Sequence, residues 1–107
     1  MKEYPTKQEL SKIKKWNVLK RPIDLLNFIR NIWWCGETAC IIRNNPDTTL
    51  FELHTYGWSG NEEIINALQE NPMFWMLYWQ KSTRGGHYYF EVYKLKNENK
   101  KEKKEKV

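Results

Sequence analysis

The chain has 107 residues, 40% of them apolar, with six tryptophans and a net charge of +5, from which one domain with a small core is expected rather than two. Its longest apolar run, residues 73–79, falls far short of the roughly 18 residues that a membrane span needs. No apolar h-region follows the charges of residues 1–7, so a cytoplasmic protein without membrane contact is expected. The only cysteines, Cys35 and Cys40, are too few for a small secreted disulfide framework. With only His54 and His87 to complete a set they make a poor zinc site, and neither metal nor cofactor is expected.

The charge is unevenly placed. Residues 1–21 carry seven Lys/Arg against two acids, residues 22–93 four against eight, and residues 94–107 seven lysines against three glutamates. A high pI favours nucleic acid as a partner. Here much of it lies in a terminal Lys/Glu/Asn run, 96–107, that reads as a disordered, solvated tail, which lowers nucleic acid among the candidate partners.

Residues 1–95 read as one domain. Thr6-x-x-Glu9 is a capping box, and Leu10, Ile13 and Trp16 follow at three-residue spacing, which predicts a first helix over about 7–16 with Lys12, Lys14 and Lys15 outward. Pro22 suits the first turn of a second helix, about 22–34, whose apolar stripe is Leu25, Leu26, Ile29, Ile32 and Trp33. That helix is expected to end near Cys35-Gly36, with the glycine left-handed. Residues 38–43 and 48–56, joined through Asn44-Asn45-Pro46-Asp47, read as a hairpin with Phe51 and Leu53 on the core side.

Gly57-Trp58-Ser59-Gly60-Asn61-Glu62 carries a second capping signal, with Ser59 as the cap and Glu62 reaching back. It opens a third helix that turns Ile64, Ile65, Ala67 and Leu68 inward. Asn71-Pro72 stops it. Residues 73–81 and 87–95, joined through Ser82-Thr83-Arg84-Gly85-Gly86, read as a second, aromatic-rich hairpin. The fold class is α+β, a four-stranded mostly antiparallel sheet in the order α-α-β-β-α-β-β with helices packed on it. Residues 73–79 are apolar on both alternating sets, which predicts a central strand. The N-terminal helices are expected over part of the second face, or over a partner.

Glu52, His54 and Tyr56 on one strand, and His87, Tyr89, Glu91 and Tyr93 on another, fall on the faces turned away from the third helix. Tyr and His offer an apolar body with a polar tip, as pockets and interfaces use, although a sheet face half covered by the N-terminal helices is the simpler explanation. The spacings His-x-His and His-Glu-x-x-His are absent, which argues against a metal or acid–base site. Arg84-Gly85-Gly86-His87 is plain turn chemistry, and its cation beside approachable backbone amides also suits a phosphate or carboxylate. Trp58 has no staple partner, because Glu63 stands at the fourth helical position, so it either packs from the loop or offers a stacking surface.

The set Gly57-Trp58-Ser59-Gly60-Asn61-Glu62-Glu63-Ile64-Ile65, Met73-Phe74-Trp75-Met76-Leu77-Tyr78-Trp79 and Arg84-Gly85-Gly86-His87-Tyr88 resembles a group of small uncharacterised proteins encoded by phages and prophages. The resemblance covers residues 50–93 and implies action in a bacterial cytoplasm, with interference in host defence as its context. It carries no activity to transfer.

The resulting expectation is a non-catalytic protein that binds a small anionic nucleotide or nucleotide-derived signal. Trp58, Ser59, Gly60, Asn61, Arg84, Gly85, Gly86 and His87 would form the site, with Tyr89 and His54 as walls. The rival is an inhibitor or scaffold docking on a host protein through the aromatic sheet face. No nucleophile with a neighbouring base, no telling pair of carboxylates and no phosphate loop points to an enzyme.

Overall fold

The computed structural model describes residues 4–93; the expected tail, 96–107, lies outside the described residues. The elements in chain order are α1 Lys7–Lys15, α2 Pro22–Ile32, α3 Gly36–Ala39, β1 Cys40–Asn44, β2 Thr48–His54, α4 Ser59–Gln69, α5 Pro72–Tyr78, β3 Trp79–Thr83 and β4 His87–Tyr93. The strands form one antiparallel sheet ordered β1-β2-β4-β3. The α+β class and the four-stranded sheet match the sequence reading.

Local signals place several elements as expected. Thr6 Oγ1 accepts from the Glu9 N–H at 3.1 Å and Glu9 Oε1 accepts from the Thr6 N–H at 2.9 Å, so the first capping box closes. Pro22 opens α2, whose Leu25, Leu26 and Ile29 are buried. In α4 the buried set includes Ile64, Ile65, Ala67 and Leu68, one stripe of the helix.

Other expectations fail for identifiable reasons. Residues 73–78 are helical, not a central strand, and only Trp79 onward is extended, as an edge strand with all five residues exposed. Asn71 is the cause: its Oδ1 accepts from the Phe74 N–H at 3.2 Å, and Pro72 fills the first helical position. The Asn-Pro pair therefore ends one helix and starts the next. Pro72–Tyr78 contains no β-branched residue to resist the helix, and Phe74 and Tyr78, four apart, are its buried pair.

α2 ends at Ile32, and the left-handed residue is Cys35 at φ 61° rather than Gly36, which opens the one-turn α3. Ser59 does not cap α4. Trp58 holds the cap position without a side-chain capping hydrogen bond, and its carbonyl accepts from the Glu62 N–H at 3.0 Å.

All buried sheet side chains belong to one face. Thr49, Phe51 and Leu53 of β2 and Phe90 and Val92 of β4 are buried. The apolar members of that set share one cluster with Ile13, Leu25, Leu26, Ile29, Ile64, Leu68 and Phe74. The N-terminal helices thus join the same core and do not cross to the second face. Phe90 sits at the centre, its ring 5.9 Å from Phe51, 5.1 Å from Phe74 and 5.4 Å from Trp75. Each such ring contributes about 1.5–3 kcal/mol by burial. Asn71, also buried, donates from Nδ2 to the carbonyls of Ile13 at 2.9 Å and Trp16 at 3.1 Å, tying the end of α1 to the start of α5.

Candidate functional site

Side chains alternate along a strand, so the face opposite the core carries Ile41 and Arg43 of β1, Leu50, Glu52 and His54 of β2, His87, Tyr89 and Glu91 of β4, and Lys81 of β3. None of them is buried or belongs to the core cluster. Register places His54 directly across from His87, and Glu52 across from Tyr89. The two imidazoles meet Nδ1 to Nδ1 at 2.7 Å with ring centroids 4.9 Å apart.

A chain of polar contacts leads away from that pair. Glu52 Oε1 lies 3.6 Å from His54 Nε2, an electrostatic contact longer than a hydrogen bond. Its other oxygen accepts from Arg43 Nη1 at 2.9 Å. The His54 and Tyr89 rings are nearly perpendicular with centroids 6.2 Å apart, and Lys81 Nζ lies 4.9 Å from the centre of the Tyr89 ring. The arrangement groups two titratable rings, a phenol and two cations around a neutralised carboxylate. It can bind and orient a polar ligand. It offers no activated nucleophile.

The β3–β4 turn adjoins this pair. Gly85 and Gly86 take φ of +90° and +81°, and Arg84 is exposed and without an ion pair among the described residues. A Cβ on Gly85 would come within 3.2 Å of His87 Nε2, so the glycine leaves the ring its room. A Cβ on Gly86 would collide with Thr55 Oγ1, and the Gly86 carbonyl accepts from the Thr55 N–H at 2.9 Å. Thr55 in turn bonds the amides of Gly57, through Oγ1 at 3.3 Å, and of Trp58, through its carbonyl at 2.9 Å. The Arg84 turn and the loop before α4 are therefore fastened together at one end of the sheet.

The residues expected around Trp58 are placed differently from one another. Trp58 is stacked on Trp34 at 4.7 Å and 19° and lies 5.6 Å from the Tyr4 ring. Ser59 is exposed and donates to the Tyr4 hydroxyl at 3.2 Å. Gly60 and Asn61 are buried. Asn61, only 1% exposed, accepts from the Trp34 N–H at 2.9 Å and donates to the carbonyls of Trp34 and Thr55 at 3.3 and 3.4 Å. It holds the α2–α3 junction, the end of β2 and the start of α4 together. The structure thus places His54, His87 and Tyr89 on the open face and the Arg84-Gly85-Gly86 turn at the same end of the sheet, whereas Asn61 serves the interior.

Sequence reading missed Arg43 and Lys81 as members of the open face and Thr55 as the link beneath it. Strand parity carries a signal for the two cations once the register is known. For Thr55 the sequence holds none.

A second surface is apolar. Met73, Met76, Leu77 and Trp79 are exposed, Met76 to 71%, along the outer side of α5 and the start of β3, and Trp75 stacks on Trp79 at 6.1 Å and 14°. A groove of about 900 Å³ between the end of α2 and α3 is lined by residues including Arg30, Asn31, Cys35 and Thr38, and by none of the expected site residues. Burial pushes the Cys40 thiol up to about 12 against the opposing charge of Arg30, so this cysteine is a core residue and no nucleophile. On α1, Lys14 is paired with Glu70 at 3.3 Å and Lys12 lies over Phe28 at 4.7 Å, which occupies part of the basic stripe.

Among the described residues no helix is long and apolar enough to cross a membrane. No group of three or more His, Cys, Asp or Glu among them is placed to hold a metal ion. Comparison with protein-family models, curated proteins and solved structures returned no match to the chain.

Proposed function

We propose that the protein is a non-catalytic binding protein whose open sheet face and adjoining Arg84 turn hold a small anionic, base-containing ligand, a nucleotide or a nucleotide-derived signal. The observation that carries this reading is the meeting of His54, His87 and Tyr89 on a face that contributes nothing to the core, beside a turn that presents an exposed arginine and two positive-φ glycines. With His54 engaged by His87 and Glu52, Nε2 of His87 and the Arg84 guanidinium suit phosphate oxygens, and successive amides around Gly85-Gly86 add donors of the same sign. Trp58 is already engaged with Trp34 and Tyr4, so the base stacks on Tyr89, where Lys81 adds a cation. The phage-type resemblance of residues 50–93 gives the reading its context, a phage product that withdraws a host signalling nucleotide in the bacterial cytoplasm.

A thermal-shift panel of mono-, di- and cyclic nucleotides tests it. A true ligand at 100 times its Kd stabilises the fold by about 2.7 kcal/mol, and the gain is lost in Arg84→Ala and Tyr89→Ala. A panel without any shift sinks the reading.

The exposed Met73, Met76, Leu77 and Trp79 favour a second reading, an inhibitor or scaffold that docks on a host protein. Under it, Met76→Glu abolishes a stoichiometric complex, whereas Tyr89→Ala leaves that complex intact.

A further inference from the structure

We propose that His54 and His87 chelate one divalent transition-metal ion on the open sheet face, each through Nδ1. The proposal stands on the geometry of the pair and not on the nucleotide reading. The two rings come from directly paired positions of neighbouring strands, and their Nδ1 atoms converge to 2.7 Å. As a hydrogen bond, that contact needs a proton on one Nδ1 and a lone pair on the other. As a chelate it needs lone pairs on both.

Glu52 favours the chelating form of His54. Its carboxylate lies 3.6 Å from Nε2, longer than a hydrogen bond, and a closure of about 0.5 Å lets it hold the ring proton on that nitrogen and leave Nδ1 bare, while Arg43 fixes the carboxylate from behind at 2.9 Å. A carboxylate behind a histidine is the usual outer partner of a metal-binding imidazole. On the other ring, Nε2 of His87 lies 3.2 Å from where a Cβ on Gly85 would stand, a tight approach that the glycine spares it. Each ring turns its Nδ1 toward the other.

The spacing also selects the metal. With metal–nitrogen bonds of about 2.0–2.1 Å, two ligands at a right angle stand about 2.9 Å apart and two at the tetrahedral angle about 3.4 Å. The observed 2.7 Å needs a shift of about 0.2 Å to reach the first value and about 0.7 Å to reach the second. Square-planar or octahedral Cu²⁺ and Ni²⁺ therefore fit better than tetrahedral Zn²⁺. With two protein donors, the other coordination positions face outward from the sheet and take water or an anionic ligand.

The test is calorimetric titration of the untagged full chain with Cu²⁺, Ni²⁺ and Zn²⁺ in a non-coordinating buffer, with no nucleotide present. One ion per chain is expected, bound in the order Cu²⁺ over Ni²⁺ over Zn²⁺. His54→Gln and His87→Gln should each abolish it, and Glu52→Gln should weaken it roughly 10- to 100-fold. An independent readout needs no variant: the Cu²⁺ complex of the unaltered chain should show two equatorial imidazole nitrogens by electron paramagnetic resonance. The proposal is overturned if the unaltered chain binds none of the three ions, if binding survives both histidine substitutions, or if the spectrum shows other than two imidazole nitrogens. An unchanged affinity in Glu52→Gln would overturn the tautomer argument on which the chelate rests.

Discussion

Gly86→Ala should be far more costly than Gly57→Ala, although both glycines have positive φ, +81° and +71°. An alanine forced into the left-handed region costs about 1–2 kcal/mol. For Gly57 that is the whole effect, because nothing lies within 4 Å of the added methyl. For Gly86 the methyl collides with Thr55 Oγ1 and disturbs the 2.9 Å bond from the Thr55 N–H to the Gly86 carbonyl. Overpacking of this kind adds about 1–3 kcal/mol, so a total near 3 kcal/mol is expected. Urea unfolding followed by circular dichroism reads both values, and Thr55→Ala completes a double-mutant cycle. Because Thr55→Ala removes the colliding hydroxyl, the coupling with Gly86→Ala should be about 1 kcal/mol or more. Equal costs for the two glycines, or an additive double mutant, would refute the claim that the Arg84 turn and the loop before α4 are locked through Thr55.

Four further outcomes follow from other contacts in the fold. Asn61→Ala leaves the Trp34 N–H and the carbonyls of Trp34 and Thr55 without their partner, which should lower stability by about 2–3 kcal/mol in the same unfolding assay. Asn71→Ala removes both the α5 cap and the tie to α1, and a loss of about 2 kcal/mol should come with weaker near-ultraviolet signals from the aromatic residues of α5. At pH 8 a thiol reagent should label the partly exposed Cys35 in the folded chain and reach the buried Cys40 only on unfolding. The folded thiol of Cys40, raised to about 12 from an ordinary value of 9.0, binds its proton more tightly than the unfolded one. Stability should therefore fall as pH rises from about 9 towards 12, with a shallower fall in Cys40→Ala.

Much of the architecture is legible in local chemistry. The Thr6 capping box, the apolar stripes of α2 and α4 and the alternation of residues 49–54 each act within a few residues, so sequence alone is enough to read them. The helix at 72–78 was hidden because a short run apolar on both alternating sets fits a buried strand and a buried helix equally well. Asn71-Pro72 held the answer, since the pair that stops α4 also caps and starts α5.

Ser59 shows the opposite failure. It carries the same signature as Thr6, yet α4 begins one residue earlier while Asn61 is drawn inside to bond the Trp34 backbone, a partner 27 residues away. The facing of His54 and His87 likewise depends on the pairing of β2 with β4. No spacing in the sequence encodes that register. Strand parity was enough to place both rings, with Tyr89, on the open face.

The central claim is that the open face, at the end fastened by Thr55 and Gly86, is where a nucleotide-type ligand sits. Amide and imidazole chemical shifts of isotope-labelled protein, followed through titration with the nucleotide that gives the largest thermal shift, test this most directly. Perturbations should centre on His54, Arg84, His87 and Tyr89, with little change along α5. Shifts confined to Met73, Met76 and Trp79, or to the groove by Cys35, would contradict it.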